Sequence, residues 1–179
     1  HDALKGHKNI KDAAYLHPSG LRIIPSRISI EELNAVNPER LSAILPDLHG
    51  TSDFVILDCS AGLGIDTLAT LRTADEIIIV TNPEIPAITD ALKVIKVAEK
   101  MEKNVSGIVL NRVQNDGMEI SREHIKNTLE KPIIGAIPYD KAIKKALSLR
   151  HPVVYSHPKA KSSRNYKMLA AEILGKHYD

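Results

Sequence analysis

The sequence predicts an α/β protein whose doubly wound, mostly parallel sheet carries helices on both faces. Short β-branched segments alternate with segments of helical period along most of the 179 residues. Four of the five candidate strands are apolar throughout instead of alternating, which is typical of strands covered on both faces. Because strand–helix–strand connections within one sheet are right-handed crossovers, this order predicts parallel neighbours. No linker or repeat divides the sequence, so we predict one domain over residues 1–179.

The strands are predicted from runs of apolar and β-branched residues. They are Leu21–Pro25, Phe54–Asp58, Glu76–Thr81, Val105–Asn111 and Pro132–Pro138. Ligands of such sheets bind at the carboxyl ends of the strands, so the residues that follow each strand are the candidate functional residues.

The helices are predicted from apolar positions that recur with helical spacing. They are Pro38–Leu48, Thr67–Thr73, Ile88–Met101, Arg122–Leu129, Lys141–Leu149 and Ser162–Leu174. In the third of these, the apolar side chains form one stripe and the lysines lie outside it. Pro38 and Pro86 lie where the first turn of a helix tolerates proline.

The composition is that of an ordinary globular protein, with 43% hydrophobic and 26% charged residues and a net charge of +2. These values exclude a disordered chain, a collagen-like repeat and a disulfide-stapled miniprotein. A single cysteine, Cys59, forms no internal disulfide and fits a reducing compartment. The longest apolar runs are far shorter than the ~20 residues that cross a bilayer. We therefore expect a cytoplasmic protein.

The charge is concentrated at one end of the sequence. Residues 141–179 contain nine Lys and Arg but only two Asp and Glu. A basic end on an acidic body can contact lipid headgroups, nucleic acid or an acidic partner. A solvated helical face is the simpler interpretation, and the composition alone does not decide between them.

Asp58 ends the second predicted strand, and Gly62 follows it. A carboxylate at the end of an apolar strand can hold Mg²⁺, usually through water, beside phosphate groups. A glycine four residues later lets its backbone N–H approach a phosphate because it has no Cβ. On these residues alone, an aspartate that caps a turn is the simpler interpretation.

Seven segments of the chain occur in a characteristic order. They are SGLRIIPSRISIEEL (19–33), FVILDCSAG (54–62), ADEIIIVTNPE (74–84), AITDALKVIKVAEK (87–100), IVLNR (108–112), IIGAIPYD (133–140) and PVVYSHPKAKSSRNYKMLA (152–170). This series resembles the MinD branch of the MinD/ParA ATPases, the deviant Walker A family of P-loop proteins. Archaeal-type MinD proteins are the most similar members, and the resemblance covers nearly the whole chain.

The resemblance implies roles for two residues, one at the end of the second predicted strand and one shortly after it. Asp58 corresponds to the Walker B aspartate that holds Mg²⁺ through water, and Gly62 to the switch that senses the γ-phosphate. These two residues are the catalytic candidates. Ser60 departs from the family, which has proline there, and the departure removes no chemical group from the site.

The same resemblance implies nucleotide contacts after the later strands. By the resemblance, Asn111, followed by Arg112, corresponds to the residue that hydrogen-bonds adenine. Its amide can offer a donor and an acceptor to a purine edge. The segment of Pro138, Tyr139 and Asp140 corresponds to the loop that closes over the base. Cofactors of this kind are ATP or ADP with Mg²⁺.

A dimer role is implied for two acidic residues. Glu84 corresponds to a residue that reaches across an ATP-sandwich homodimer toward the nucleotide of the partner. Asp90 corresponds to a residue near that interface.

The Walker A loop of the family is absent from these 179 residues. No G-x-x-x-x-G-K-[ST] or GKGG-x-GKT occurs, and the only Gly-Lys pair is Gly175-Lys176. We expect the chain, which begins with His1, to be the C-terminal portion of a MinD-like ATPase domain without its first strand and P-loop. Pairing with a second chain, and a degenerate non-catalytic relative, are the alternatives. In each case this chain alone is expected to be inactive.

The resemblance predicts an ATPase switch that dimerises with ATP and takes part in division-site or cellular positioning. A regulatory protein partner is expected. A ParA-like DNA-partition ATPase and a non-catalytic interaction module are the alternatives. Nucleic acid is the less favoured partner because aromatic residues are only 3% of the sequence. Peripheral membrane contact stays open, although Tyr166–Leu174 fits a packed helix better than a membrane anchor.

Overall fold

The computed structural model describes residues 3, 7, 9–18, 20–25 and 40–178. The chain forms two compact units, His1–Ala74 and Asp75–Asp179. Within the described residues, no helix combines the length and apolar character that crossing a membrane requires.

The first unit contains short elements. A 3₁₀-helix at Ile10–Ala13 precedes strands β1 (Tyr15–Leu16) and β2 (Arg22–Ile23), followed by helix α1 (Leu41–Ile44), a 3₁₀-helix (Leu45–Leu48) and helix α2 (Ile65–Thr73). Strands β1 and β2 pair antiparallel, with Tyr15 opposite Ile23. The predicted strand Leu21–Pro25 is therefore confirmed only at Arg22 and Ile23. Of the predicted helix Pro38–Leu48, residues 38–39 lie outside the described residues, Arg40 is the N-cap residue, and residues 41–48 form α1 and the 3₁₀-helix.

The prediction of a strand at Phe54–Asp58 is wrong for this structure. This segment is irregular, and Phe54, Val55 and Ile56 are 56%, 48% and 87% exposed. An extended segment becomes a strand only when a neighbouring backbone satisfies its N–H and C=O groups. Among the described residues, none pairs with it in a sheet. The apolar sequence of this segment shows that it could lie in a buried strand. Whether it forms one depends on a second segment that pairs with it.

The second unit is a three-stranded parallel sheet flanked by helices, which confirms the predicted α/β fold. Strands β3 (Glu76–Thr81), β4 (Asn104–Val113) and β5 (Ile133–Pro138) lie in the order β3-β4-β5. Helices α3 (Ile85–Lys100), α4 (Arg122–Leu129), α5 (Lys141–Ser148), α6 (Val153–Ser156) and α7 (Lys161–Ile173) complete it. Helix α3 packs against β3 and β4, and α7 packs against β5. The largest fully buried apolar side chains are Ile95, Ile108, Leu110, Ile125, Leu129 and Ile137.

The helix boundaries follow from local chemistry. Pro86 lies in the first turn of α3, as predicted, and the helix begins one turn earlier than its apolar stripe indicated. Ser121 caps α4, where its hydroxyl accepts a hydrogen bond from the His124 N–H at 3.2 Å. Helix α6 was not predicted because a four-residue helix is too short to show a period.

Gly107 gives a first test of the sheet packing. A Cβ at Gly107 would lie 2.5 Å from Cγ2 of Ile134, a β-branched side chain with little rotational freedom. Gly107→Ala is therefore expected to lower the free energy of unfolding by about 1–3 kcal/mol, measured by urea denaturation. Adding Ile134→Ala should recover part of this loss, because it removes the atoms that clash. A stable Gly107→Ala variant would contradict this packing.

Candidate functional site

The loop after the segment 54–58 is shaped by one glycine and one buried threonine. Gly62 has a φ of +91°, a region that strains residues with a Cβ. Thr67 is 4% exposed, and its hydroxyl donates a hydrogen bond to the carbonyl oxygen of Ser60 at 3.3 Å. Because the acceptor is a backbone carbonyl, serine serves this contact as well as proline would. The loop is thus joined to the first turn of α2.

Asp58 lies on the same loop and is exposed. Within the part of the chain that the structure describes, its carboxylate has no hydrogen-bond or ion-pair partner. Carboxylate oxygens are the ligands that Mg²⁺ prefers, either directly or through water. The donor chemistry and exposure of Asp58 therefore fit a magnesium partner.

The start of α3 carries the two acidic residues predicted for a dimer. Glu84 is the N-cap residue, its carbonyl oxygen accepts the N–H of Ile88 at 3.0 Å, and its side chain makes no capping hydrogen bond. That side chain is exposed and has no partner among the described residues. Asp90 instead forms an exposed ion pair with Lys93 at 2.9 Å. Glu84 is the one of the two whose carboxylate is available to another molecule.

Asn111 and Arg112 lie near the carboxyl end of β4. The half-buried amide of Asn111 makes no hydrogen bond within the described residues. Arg112 has a φ of +58°, which is uncommon for a residue with a side chain, and its guanidinium is exposed. An amide that is half buried and without an internal partner can bind the edge of a base.

The segment Pro138, Tyr139 and Asp140 ends β5 at the same edge of the sheet. Pro138 is in register with Val113 of β4, and the Tyr139 N–H donates to the Val113 carbonyl at 2.9 Å. The structure thus brings the end of β4 and the predicted base-binding loop together, as the parallel topology predicted. Tyr139 is exposed and Asp140 is half buried.

Asp140 differs from the other candidates because its carboxylate is already hydrogen-bonded. Oδ1 accepts the Ala142 N–H at 2.8 Å, and Oδ2 accepts the N–H and hydroxyl of Ser162 at 3.1 and 2.9 Å. The Ala142 N–H, followed by the Ser162 N–H, holds the pKa of Asp140 below its usual range.

Sequence reasoning missed the loop that follows β4. Glu119 accepts the N–H groups of Gln114 and Asn115 at 2.7 and 3.0 Å, and the Ile120 N–H donates to the Pro83 carbonyl at 3.1 Å. A cavity of about 210 Å³ lies beside this loop. The only local signal was the turn-forming sequence Asn115-Asp116-Gly117, which predicts a turn but not its contacts.

The nine basic residues of 141–178 are exposed, and none forms an ion pair within the described part of the chain. They are Lys141, Lys144, Lys145, Arg150, Lys159, Lys161, Arg164, Lys167 and Lys176. By contrast, Glu99 near the end of α3 pairs with Lys131 and Lys96, each at 3.0 Å. The hydrogen bond from Lys131, then that from Lys96, lowers the pKa of Glu99.

Leu147 and Leu149, which lie among the nine basic residues, are 70% and 59% exposed.

Comparison with known proteins gives matches across the chain. A family model described as "ParA: NUBPL iron-transfer P-loop NTPase" matches residues 41–174. An uncharacterized ATP-binding protein of Methanocaldococcus jannaschii, MJ0547, is 36% identical over 99% of this chain and 67% of its own length. The chain thus spans about two thirds of that relative.

Solved structures show the same similarity. The cell division ATPase MinD of Pyrococcus furiosus has a TM-score of 0.91 and 31% identity, over 97% of this chain and 74% of that one. The septum site-determining protein MinD of Pyrococcus horikoshii, complexed with Mg-ADP, has a TM-score of 0.89 and 30% identity, over 96% and 71%.

Proposed function

The chain belongs to the MinD branch of the ParA family of P-loop NTPases, and from that premise we propose that it serves an ATPase switch in division-site or cellular positioning. The switch dimerises with ATP, engages a protein partner or a membrane surface, and returns to the monomer after hydrolysis. The observation that carries the proposal is the available amide of Asn111 beside the Pro138–Tyr139 segment, at the carboxyl edge of a parallel sheet.

The residues present fit a nucleotide with Mg²⁺. In the second unit, the amide of Asn111 would hydrogen-bond the base, and Arg112, Pro138 and Tyr139 border the same edge of the sheet. In the first unit, the exposed carboxylate of Asp58 would hold Mg²⁺ through water. When bound, Mg²⁺ neutralises charge on the β- and γ-phosphates. Gly62 keeps the loop after Asp58 in a left-handed turn that a Cβ would strain.

The proposal requires a phosphate-binding loop that these 179 residues do not contain. The residues encoded immediately before His1 supply the simplest test. A GKGG-x-GKT sequence there supports the interpretation of the chain as the C-terminal portion of an ATPase domain. Its absence supports a loop on a second chain or a non-catalytic relative.

The dimer part of the proposal assigns Glu84 to the interface. Its carboxylate at the start of α3 is exposed and has no partner among the residues that the structure describes, so it is suited to an intermolecular contact. Light scattering of the complete gene product tests whether the protein dimerises with ATP, with Mg-ATP turnover measured on the same sample. We expect a dimer with ATP and a monomer with ADP. A product that binds ATP and stays monomeric contradicts the dimer assignment, and one that binds no nucleotide contradicts the function as a whole.

A ParA-like DNA-binding ATPase is the second candidate, and it is favoured by the nine basic residues of 141–178, which form no ion pair within the described part of the chain. Cations without protein partners are available to DNA phosphates or to anionic lipids. On a membrane, the exposed Leu147 and Leu149 would also contact the hydrocarbon boundary. Co-sedimentation of the ATP-loaded gene product with DNA, and with vesicles containing an anionic lipid, separates the two surfaces.

If DNA is the surface, Lys144→Glu with Lys145→Glu is expected to weaken binding and to reduce the salt slope by about two, since each phosphate contact contributes about one. The control pair, Lys100→Glu with Lys126→Glu, makes the same charge change on exposed lysines outside residues 141–178. Equal losses in the two pairs would show an effect of net charge alone. Vesicle binding without DNA binding selects the membrane, and binding to neither excludes both surfaces.

A further inference from the structure

The carboxylate of Asp140 joins the starts of two helices. As the N-cap residue of α5 it accepts the Ala142 N–H on Oδ1. On Oδ2 it accepts both the N–H and the hydroxyl of Ser162, which lies 22 residues later in the first turn of α7. Ser162 is completely buried, whereas Asp140 is half buried. A single side chain therefore satisfies unpaired N–H groups at two helix termini.

Helix α7 is itself fixed to the sheet. The side-chain amide of Asn165 donates to the Ala136 carbonyl of β5 at 2.8 Å. Leu169 lies so close to Gly135 that a Cβ there would be 2.9 Å from its Cδ1. The single hydroxyl hydrogen of the buried Ser163 is shared between the Val153 and His157 carbonyl oxygens, at 3.0 and 2.7 Å from the hydroxyl oxygen. These contacts make the start of α7 a rigid anchor for Asp140.

The segment Pro138–Tyr139 is consequently held from two sides. On one side, the Tyr139 N–H binds the Val113 carbonyl at the end of β4. On the other side, Asp140 is tied to Ser162 and to the first turn of α5. An ionised carboxylate has about four acceptor positions, and three are used here. Little of Asp140 is left for a bound molecule.

We propose that Asp140 is a positioning residue, which fixes the Pro138–Tyr139 segment against the base of the nucleotide by linking it to Ser162. The inference rests on the proposed function, because it concerns the base-binding edge assigned there. It differs from a direct contact between Asp140 and the nucleotide. The lowered pKa of Asp140 agrees with it, since the anion is the form that the three donors stabilise.

The test compares Asp140→Asn and Ser162→Ala in the complete gene product. Each variant removes part of the link, and Ser162 is buried within the protein. We expect both to raise the Kd for Mg-ATP by about five- to tenfold, which corresponds to the net contribution of roughly one ordinary hydrogen bond. The preference for ATP over GTP should decrease in both, while kcat at saturating ATP stays near the wild-type value. Ser148→Ala, which removes an exposed hydroxyl of α5, is the control.

Three outcomes would overturn the inference. If Asp140→Asn weakens ATP binding and Ser162→Ala does not, Asp140 contacts the nucleotide directly. If both variants lower Tm without changing Kd or base preference, the link is only structural. If the wild-type protein binds no nucleotide, the proposed function fails and this inference fails with it. Should Asp140→Asn not fold, the milder Ser162→Ala decides the question alone, with the same Kd and base-preference measurements.

Discussion

The 179-residue chain, prepared alone, is expected to show no saturable ATP binding in the micromolar range. In P-loop proteins the glycine-rich loop supplies the backbone amides and the lysine that hold the phosphates. This chain contains no such loop, and its single Gly-Lys pair follows the last helix, at Gly175-Lys176. The contacts that remain are the amide of Asn111 and the carboxylate of Asp58, and neither neutralises a triphosphate. Isothermal titration with Mg-ATP measures the effect.

An unfolded chain would also fail to bind, so the titration needs a control for folding. A cooperative urea transition and a circular dichroism spectrum with helix and strand features show that the chain is folded. Under those conditions, tight Mg²⁺-dependent binding would contradict the expectation. It would mean that these 179 residues hold the phosphates through groups that the family motif does not describe.

The elements that were predicted to the residue are those with local boundary signals. Strand β3 occupies Glu76–Thr81 and helix α4 occupies Arg122–Leu129, both as predicted. The helix is marked by the Ser121 cap, and the strand by an unbroken β-branched run that ends before Asn82-Pro83. Such signals act within a few residues, so one sequence is sufficient to recognise them.

The strands that were wrongly predicted depend on the presence of a second strand that pairs with them. Phe54–Asp58 has the composition of a strand, but no described segment pairs with it. Leu21–Pro25 pairs over only two residues, with Tyr15–Leu16, whose sequence gave no strand signal. Composition predicts that a segment is suited to a sheet, whereas pairing needs a second backbone that composition does not identify.

In the candidate site, too, some contacts could be predicted from the sequence and others depend on tertiary packing. The topology of a parallel sheet predicted that Asn111 and Pro138 would lie at one edge, and they do. One contact of Asp140, the capping of α5, could be predicted from the sequence, because an aspartate before a helical segment is a typical N-cap. The contact between Asp140 and Ser162 could not be predicted, because only the packing of α7 on β5 brings these two residues together.

The largest effect on catalysis is expected from Asp58→Asn in the complete gene product. This change keeps the size of the side chain and removes its negative charge. A neutral amide holds a hydrated Mg²⁺ weakly, so the charge that develops on the γ-phosphoryl group is less well neutralised. We expect kcat to fall by on the order of 100-fold, the loss typical of removing one electrostatic contact to a transition state. A steady-state assay of phosphate release at saturating Mg-ATP measures it.

The matched control is Asp53→Asn, an exposed aspartate at the other end of the same segment. Both aspartates are exposed, so neither change should alter the free energy of unfolding by more than about 0.5 kcal/mol. A fall in kcat confined to Asp58→Asn would then assign the effect to the site and not to folding. If Asp58→Asn retained wild-type kcat at low Mg²⁺, Asp58 would not be the magnesium partner. The exposed carboxylate would then be only the end of an unpaired segment, and the metal would have to be held by residues outside this loop.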